Sequence, residues 1–183
     1  MLQGLERHIL RGIRKGEPEA FEAVICQYYK SVFSFLAYLC GDKNAAEDLT
    51  QDTFTSAWAN INGYKQQASL KTWLYRIAYN KFLDSERKSR QSSALADEFR
   101  EKSFATQTDS DPLKIITKDE YSRIIFEAMQ KLEPAEYAVI VLHYIQGLSY
   151  REMESVLMEP VGTIKWRTNQ AIIKLRKILS GRI

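Results

Sequence analysis

An all-α fold is predicted: two small helical domains joined by a flexible linker, the C-terminal one a helix-turn-helix. Three observations predict it. Glycine and proline are scarce, 8 and 4 in 183 residues, and apolar residues recur at helical spacing through long uninterrupted runs. From Gln91 to Pro112 the texture turns polar and rich in Ser, Thr and Asp (QSSALADEFREKSFATQTDSDP). Near the C-terminus a short capped helix, the tight turn MEP and a longer helix follow one another. The domains are expected over residues 1–90 and 118–183, with 91–117 as the linker.

Each element has a local reason. Phe21, Val24, Ile25, Tyr28, Val32, Phe35, Leu36 and Leu39 recur at helical spacing and predict a helix over 18–40. Asn44-x-x-Glu47 reads as a capping box opening a helix that runs to about Ile61. A turn at NGY, 62–64, precedes a helix from about Ser69 to Arg90. Its buried side is expected to hold Leu70, Trp73, Leu74, Ile77 and Ala78, with Tyr75, Arg76, Tyr79, Asn80 and Arg87 facing elsewhere. A short helical patch is expected around Leu95 to Phe104, and periodicity resumes from about Leu113. Pro134 starts a helix that Gly147 ends, and Ser149-x-x-Glu152 caps the short helix SYREMESVL.

Composition excludes several classes. No apolar run approaches the roughly 18–20 residues of a membrane span, and the N-terminus lacks a signal-peptide core, so the cytoplasm is the expected location. Cys26 and Cys40, on one helix, would stand about 20 Å apart along its axis, too far for a disulfide; both are expected to be buried thiols. His8 and His143 show no ligand spacing with them, so no metal is expected. There is no Gly-rich phosphate loop and no nucleophile with an evident base, which argues against an enzyme, a cofactor or a small-molecule substrate.

Charge is unevenly spread behind a net +3. Residues 71–90 carry Lys71, Arg76, Lys81, Arg87, Lys88 and Arg90 against Asp84 and Glu86. Residues 161–183 carry six cations and no acid, whereas Asp42, Glu47, Asp48 and Asp52 cluster between Gly41 and Asn60. Two basic segments and one acidic segment point to at least two kinds of partner.

The last helix, VGTIKWRTNQAIIKLRK, places Ile164, Ala171, Ile172, Leu175, Ile178 and Leu179 on one side. Trp166, Asn169, Gln170, Ile173 and Lys177 fall opposite, flanked by Lys165 and Arg176 on one side and Arg167 and Lys174 on the other. A helix in the major groove needs this distribution: amides for base edges, apolar groups for thymine methyls, and cations toward both phosphate strands. On the 69–90 helix, a mixture of aromatics, cations and amides suits unpaired bases, though tyrosines packed on a neighbour would read the same way.

Several segments, in order, resemble the extracytoplasmic-function sigma factors of the sigma-70 family. AEDLTQDTFTSAW is similar to their region 2.2, WLYRIAYNKFLDSERKSR to regions 2.3 and 2.4, and LEPAEYAVIVLHYIQGLSYREMESVLMEPVGTIKWR to region 4. The resemblance implies an RNA polymerase sigma factor, a promoter-specificity subunit without catalysis of its own. It implies that Asp48, Gln51, Asp52 and Thr55 dock on the clamp helices of the polymerase β′ subunit, and that region 4 meets the β flap. It places Tyr64, Arg76 and Asn80 around a flipped base of the −10 element, with Lys81, Arg87 and Lys88 on its backbone. Thr163, Lys165, Trp166, Arg167, Asn169, Gln170 and Lys174 would read the −35 duplex of promoter DNA. Trp166 stands where the family often has a small polar residue, Gln170 where it often has Arg, so readout there should differ from the usual pattern. An anti-sigma factor, often membrane-anchored in this family, is the further implied partner. The alternative is a stand-alone helix-turn-helix repressor, which leaves the acidic face of residues 48–52 without a role.

Overall fold

The computed structural model describes residues 11–12, 15, 17–94 and 120–180, and these contain seven α-helices and no strand. The patch expected around Leu95 to Phe104, most of the linker and the resumption at Leu113 lie outside the described residues.

Helix α1 (Pro18–Cys40) begins with Pro18 at a first-turn position, where the missing N–H costs nothing. It ends at Gly41, whose φ of 65° allows its N–H to close on the Ala37 carbonyl at 3.0 Å. Helix α2 (Lys43–Asn60) corrects one expectation: its cap is Asp42, not Asn44. The Asp42 backbone is extended and its Oδ1 accepts from the Ala45 N–H at 2.7 Å, so Asn44 already lies in the first turn. A short 3₁₀ turn, Ile61–Gly63, leads to α3 (Leu70–Ala94), which runs past the expected end at Arg90. The Ser69 hydroxyl accepts from the Thr72 N–H at 3.1 Å and starts that helix.

In the second half, α4 (Glu120–Met129) precedes α5 (Pro134–Ile140), which opens on Pro134 as expected. Its continuation widens into a π-helical turn, Val141–Ile145, with the Gln146 N–H bonded to the Val141 carbonyl at 2.9 Å; Gly147, at φ 72°, then ends it. Helix α6 (Tyr150–Leu157) carries the expected capping box. The Ser149 N–H donates to Glu152 Oε2 at 2.8 Å and the Glu152 N–H to Ser149 Oγ at 3.3 Å. Met158 turns the chain at φ 57°, and α7 (Val161–Ser180) follows.

Helices α1, α2 and α3 pack on one another; α4, α5 and α6 pack against α7. The two groups share one continuous apolar core, with α3 against α6. Among the described residues, α1 is the helix long and apolar enough to cross a membrane, contrary to the expectation that none would be. Its apolar side is occupied here: Val24, Val32, Phe35 and Leu36 are almost fully enclosed in the core.

Two further expectations are corrected. Tyr75 does not face outward but is fully buried, its ring 5.1 Å from that of Phe35. Cys26 is exposed rather than buried, and both cysteines are free. The half-buried Cys40 thiol is pushed up to about 12, first by burial and then by the negative charges of Glu86 and Asp42. A raised thiol pKa keeps the group protonated, with roughly one part in ten thousand ionised at pH 8. Iodoacetamide at pH 8 is therefore expected to alkylate Cys26 at least about tenfold faster than Cys40. Peptide mass mapping over time reads the two rates.

Candidate nucleic-acid and protein interfaces

On α2 the helical period brings Asp48, Gln51, Asp52 and Thr55 to one exposed face. Among the described residues neither Asp48 nor Asp52 has an ion-pair partner, while neighbouring Glu47 pairs with Lys43 at 3.6 Å. Asp48, Gln51 and Thr55, but not Asp52, rim a depression of about 670 Å³ whose floor includes Phe21, Ile25 and Phe54. Tyr29 and Trp58, 43% and 46% exposed, stand at its edge. Trp58 meets Phe21 edge-on at 4.9 Å, and Tyr29 lies parallel to Phe54 at 6.1 Å. Acidic groups beside half-exposed aromatics form a surface for a basic helix with an apolar stripe. The two aromatics were missed in the sequence, yet Trp58 lies three residues beyond Thr55 and continues the same stripe.

The residues expected at a flipped base separate into two kinds. Tyr64 is buried, its hydroxyl donating to the Ala68 carbonyl at 2.6 Å and its ring 5.2 Å from that of Trp73. It can form a wall but offers little open face. Arg76 and Asn80 are exposed on α3, and Arg76 lines the same cavity, of about 570 Å³, as Tyr64 and Trp73. Further along α3, Lys81 is half-buried, Lys88 is exposed, and Arg87 pairs loosely with Asp84 at 3.6 Å. A ring pair with a guanidinium beside it and cations along the helix can hold a base and its backbone.

Helix α7 buries Ile164, Thr168 and Ala171, and the Thr168 hydroxyl donates to the Ile164 carbonyl at 2.8 Å. That register turns Thr163, Trp166, Asn169 and Ile173 outward, with Gln170 half-buried. Trp166 is 63% and Ile173 51% exposed, an apolar pair two turns apart. Three of the four expected flanking cations are held by the protein's own groups, while Arg176 is exposed. Lys165 sits 5.7 Å over the Tyr150 ring, Lys174 bonds Glu136 Oε1 at 2.7 Å, and Arg167 forms a close ion pair with Glu159. The first two fix cations beside the exposed stripe, but Arg167 is drawn toward the turn before α7.

Among the described residues no group of His, Cys, Asp and Glu is placed to hold a metal ion. The phenols of buried Tyr75 and half-buried Tyr137 stay protonated: burial pushes Tyr75 up to about 12 and raises Tyr137 further.

Comparison with known proteins identifies the family. The family model for Sigma-70 region 2 matches residues 24–92, and that for Sigma-70 region 4 matches residues 122–175. The chain is 32% identical over 176 residues to the ECF RNA polymerase sigma factor SigW of Bacillus subtilis, covering 93% of this chain and 94% of that protein. It is 25% identical over 183 residues to the RNA polymerase sigma-H factor of Pseudomonas aeruginosa, covering 95% of each. Among solved structures, the sigma factor RpoE in complex with the anti-sigma factor NepR, from Bartonella quintana, superimposes with a TM-score of 0.71 at 25% identity. That match covers 87% of this chain and 96% of that one. Matched by both family models in chain order and 32% identical to one such factor over nearly its whole length, this all-helical chain belongs to the extracytoplasmic-function sigma factors of the sigma-70 family.

Proposed function

We propose that this protein directs core RNA polymerase to specific promoters and assists melting of the −10 element, acting in the cytoplasm and without catalysis of its own. The observation that carries the reading is the presence of three chemically different exposed surfaces in one chain. The acidic, aromatic-edged face of α2 suits the β′ clamp helices. The α3 face, with Arg76, Asn80, Lys81, Arg87 and Lys88 next to Tyr64, suits unpaired −10 DNA. The α7 face, with Thr163, Lys165, Trp166, Asn169, Gln170 and Lys174, suits the −35 duplex once Arg167 is brought out. The division into residues 1–90, a linker over 91–117 and residues 118–183 belongs to the same proposal, as does a region 4 contact with the β flap. An anti-sigma factor is the natural regulator, because the RpoE of Bartonella quintana, similar in fold and sequence, was solved bound to one.

Mixing the purified chain with bacterial core RNA polymerase tests this directly. A stable one-to-one complex on gel filtration is expected. No complex, together with tight duplex-DNA binding by the chain alone, would instead favour a repressor.

A further inference from the structure

A second cavity, of about 500 Å³, lies where the end of α1, the middle of α3, the end of α4 and the start of α5 come together. None of the residues assigned above to the β′ clamp helices, the −10 strand or the −35 duplex is in its lining. Its volume is that of a small-molecule site, where an apolar lining supplies affinity and a few polar groups supply selectivity.

The apolar part is aromatic. The rings of Tyr38 and Phe126 stand 6.1 Å apart, tilted by 51°, and the Tyr137 hydroxyl donates to the Tyr38 carbonyl at 2.9 Å. Phe82, half-buried, adds a fourth ring from α3. Burial raises both phenols, so they stay neutral and offer ring faces rather than charge.

The polar part is acidic. Asp42 enters from the cap of α2, Glu86 from α3 and Glu133 from the cap of α5. Two of these are held in place by capping: Asp42 Oδ1 accepts from the Ala45 N–H at 2.7 Å, and Glu133 shares a capping box with Glu136. No lysine, arginine or histidine is among the described lining residues, and Lys43, next to Asp42, is turned to Glu47 at 3.6 Å. The C-terminal ends of α1 and α4, which carry partial negative charge, also reach the lining, and neither has a basic residue in its last turn. Cys40 feels this field: after burial, Glu86 and Asp42 push its thiol up, so carboxylates from two different elements act on one point of the wall.

These groups narrow the ligand by elimination. An anion would meet three carboxylates and no cation. A neutral apolar molecule would strip water from the carboxylates and return nothing to them. A cation on an apolar body answers both parts, because ring faces and carboxylates attract the same charge. We infer that this cavity binds an organic cation, a protonated or quaternary amine on an apolar body, with the ammonium beside Glu86 and Asp42 and the body against Tyr38, Phe82 and Phe126. The inference does not rest on the sigma-factor reading of the other surfaces.

The test is calorimetric titration of the full chain, at low ionic strength and neutral pH, with phenylbutylamine, phenylbutanol and phenylbutyrate, which carry one apolar body on a cation, a neutral group and an anion. The amine is expected to bind at least about tenfold more tightly than the alcohol, and the acid not measurably. Glu86→Gln keeps the shape of the wall and removes one charge; it is expected to weaken the amine about fivefold and to leave the alcohol unchanged. Gln130→Trp, which fills the cavity from a half-buried position in its lining, is expected to abolish binding of both. Melting within about 3 °C of the parent shows that each variant is folded. Equal affinity for amine and alcohol, or no binding of the amine by the parent, overturns the inference. Amine binding that survives both substitutions also overturns it, since the cation would then sit on another acidic surface such as that of α2.

Discussion

Asp52→Arg is expected to weaken binding to core RNA polymerase by at least about tenfold while leaving the fold intact. The carboxylate is exposed on the outward face of α2, and among the described residues it has no ion-pair partner. Removing it therefore breaks nothing within the chain, and the change in stability should stay within about 0.5 kcal/mol. At a basic partner helix the same substitution replaces attraction with like-charge contact. A cost of about 1.4 kcal/mol gives the tenfold. Asn80→Ala supplies the contrast. Asn80 is exposed on α3, near the cavity of Tyr64 and Arg76, and its loss should leave polymerase affinity unchanged while slowing promoter opening. Fluorescence anisotropy with core enzyme reads the first quantity, and permanganate footprinting of the −10 element reads the second. Equal loss of polymerase affinity in the two variants would sink the assignment of the two faces.

Local signals explain why so much was legible. A helical stripe needs only 3.6-residue spacing, so α1 could be read with its bounds and α7 with its outward Trp166 and Ile173. The capping box of Ser149 and Glu152 is equally local and stands as expected. The cap of α2 was misplaced because Asp42 and Asn44 are both good capping residues two positions apart, and sequence alone does not say which has extended backbone. Tyr75 failed for a different reason. Helix α3 is buried on two sides: one faces α1 and α2, and the other is closed by α6 and by Gln146. One amphipathic stripe cannot announce a second buried side that comes from the other helical group. The site followed the same rule. Asp48, Gln51, Asp52 and Thr55 could be grouped by period alone. The wall of Glu154, Met158 and Glu159 opposite Arg76 could not, because only packing brings those residues together.

The double burial of α3 also sets the largest stability effect. Phe35→Ala is expected to cost about 3–5 kcal/mol and to lower the melting temperature by roughly 6–20 °C. Phe35 is fully enclosed on α1, and its ring lies 5.1 Å from Tyr75, tilted by 50°. Truncation to a methyl group removes the ring's transfer free energy and leaves a cavity; the total then depends on whether neighbours collapse into it. Tyr75 is the obvious filler, and it is tethered. Its hydroxyl is bonded to Gln146 Oε1 at 2.8 Å, and swinging the ring inward would break that part-buried hydrogen bond at a further cost of about 1 kcal/mol. Leu36 and Val32 are fixed on the same helix as the hole and cannot move into it without moving α1. The cost should therefore fall in the upper part of the range, and Phe35→Leu, which fills more of the hole, should cost distinctly less. A double cycle with Tyr75→Phe makes the tether measurable: freed of its hydroxyl, the ring can relax, so the two losses should sum to more than the loss in the double variant. Circular-dichroism melting of the four proteins gives the coupling. Strict additivity would mean that the ring at position 75 never moves, and a drop under about 3 °C for Phe35→Ala would mean that the core closes without it.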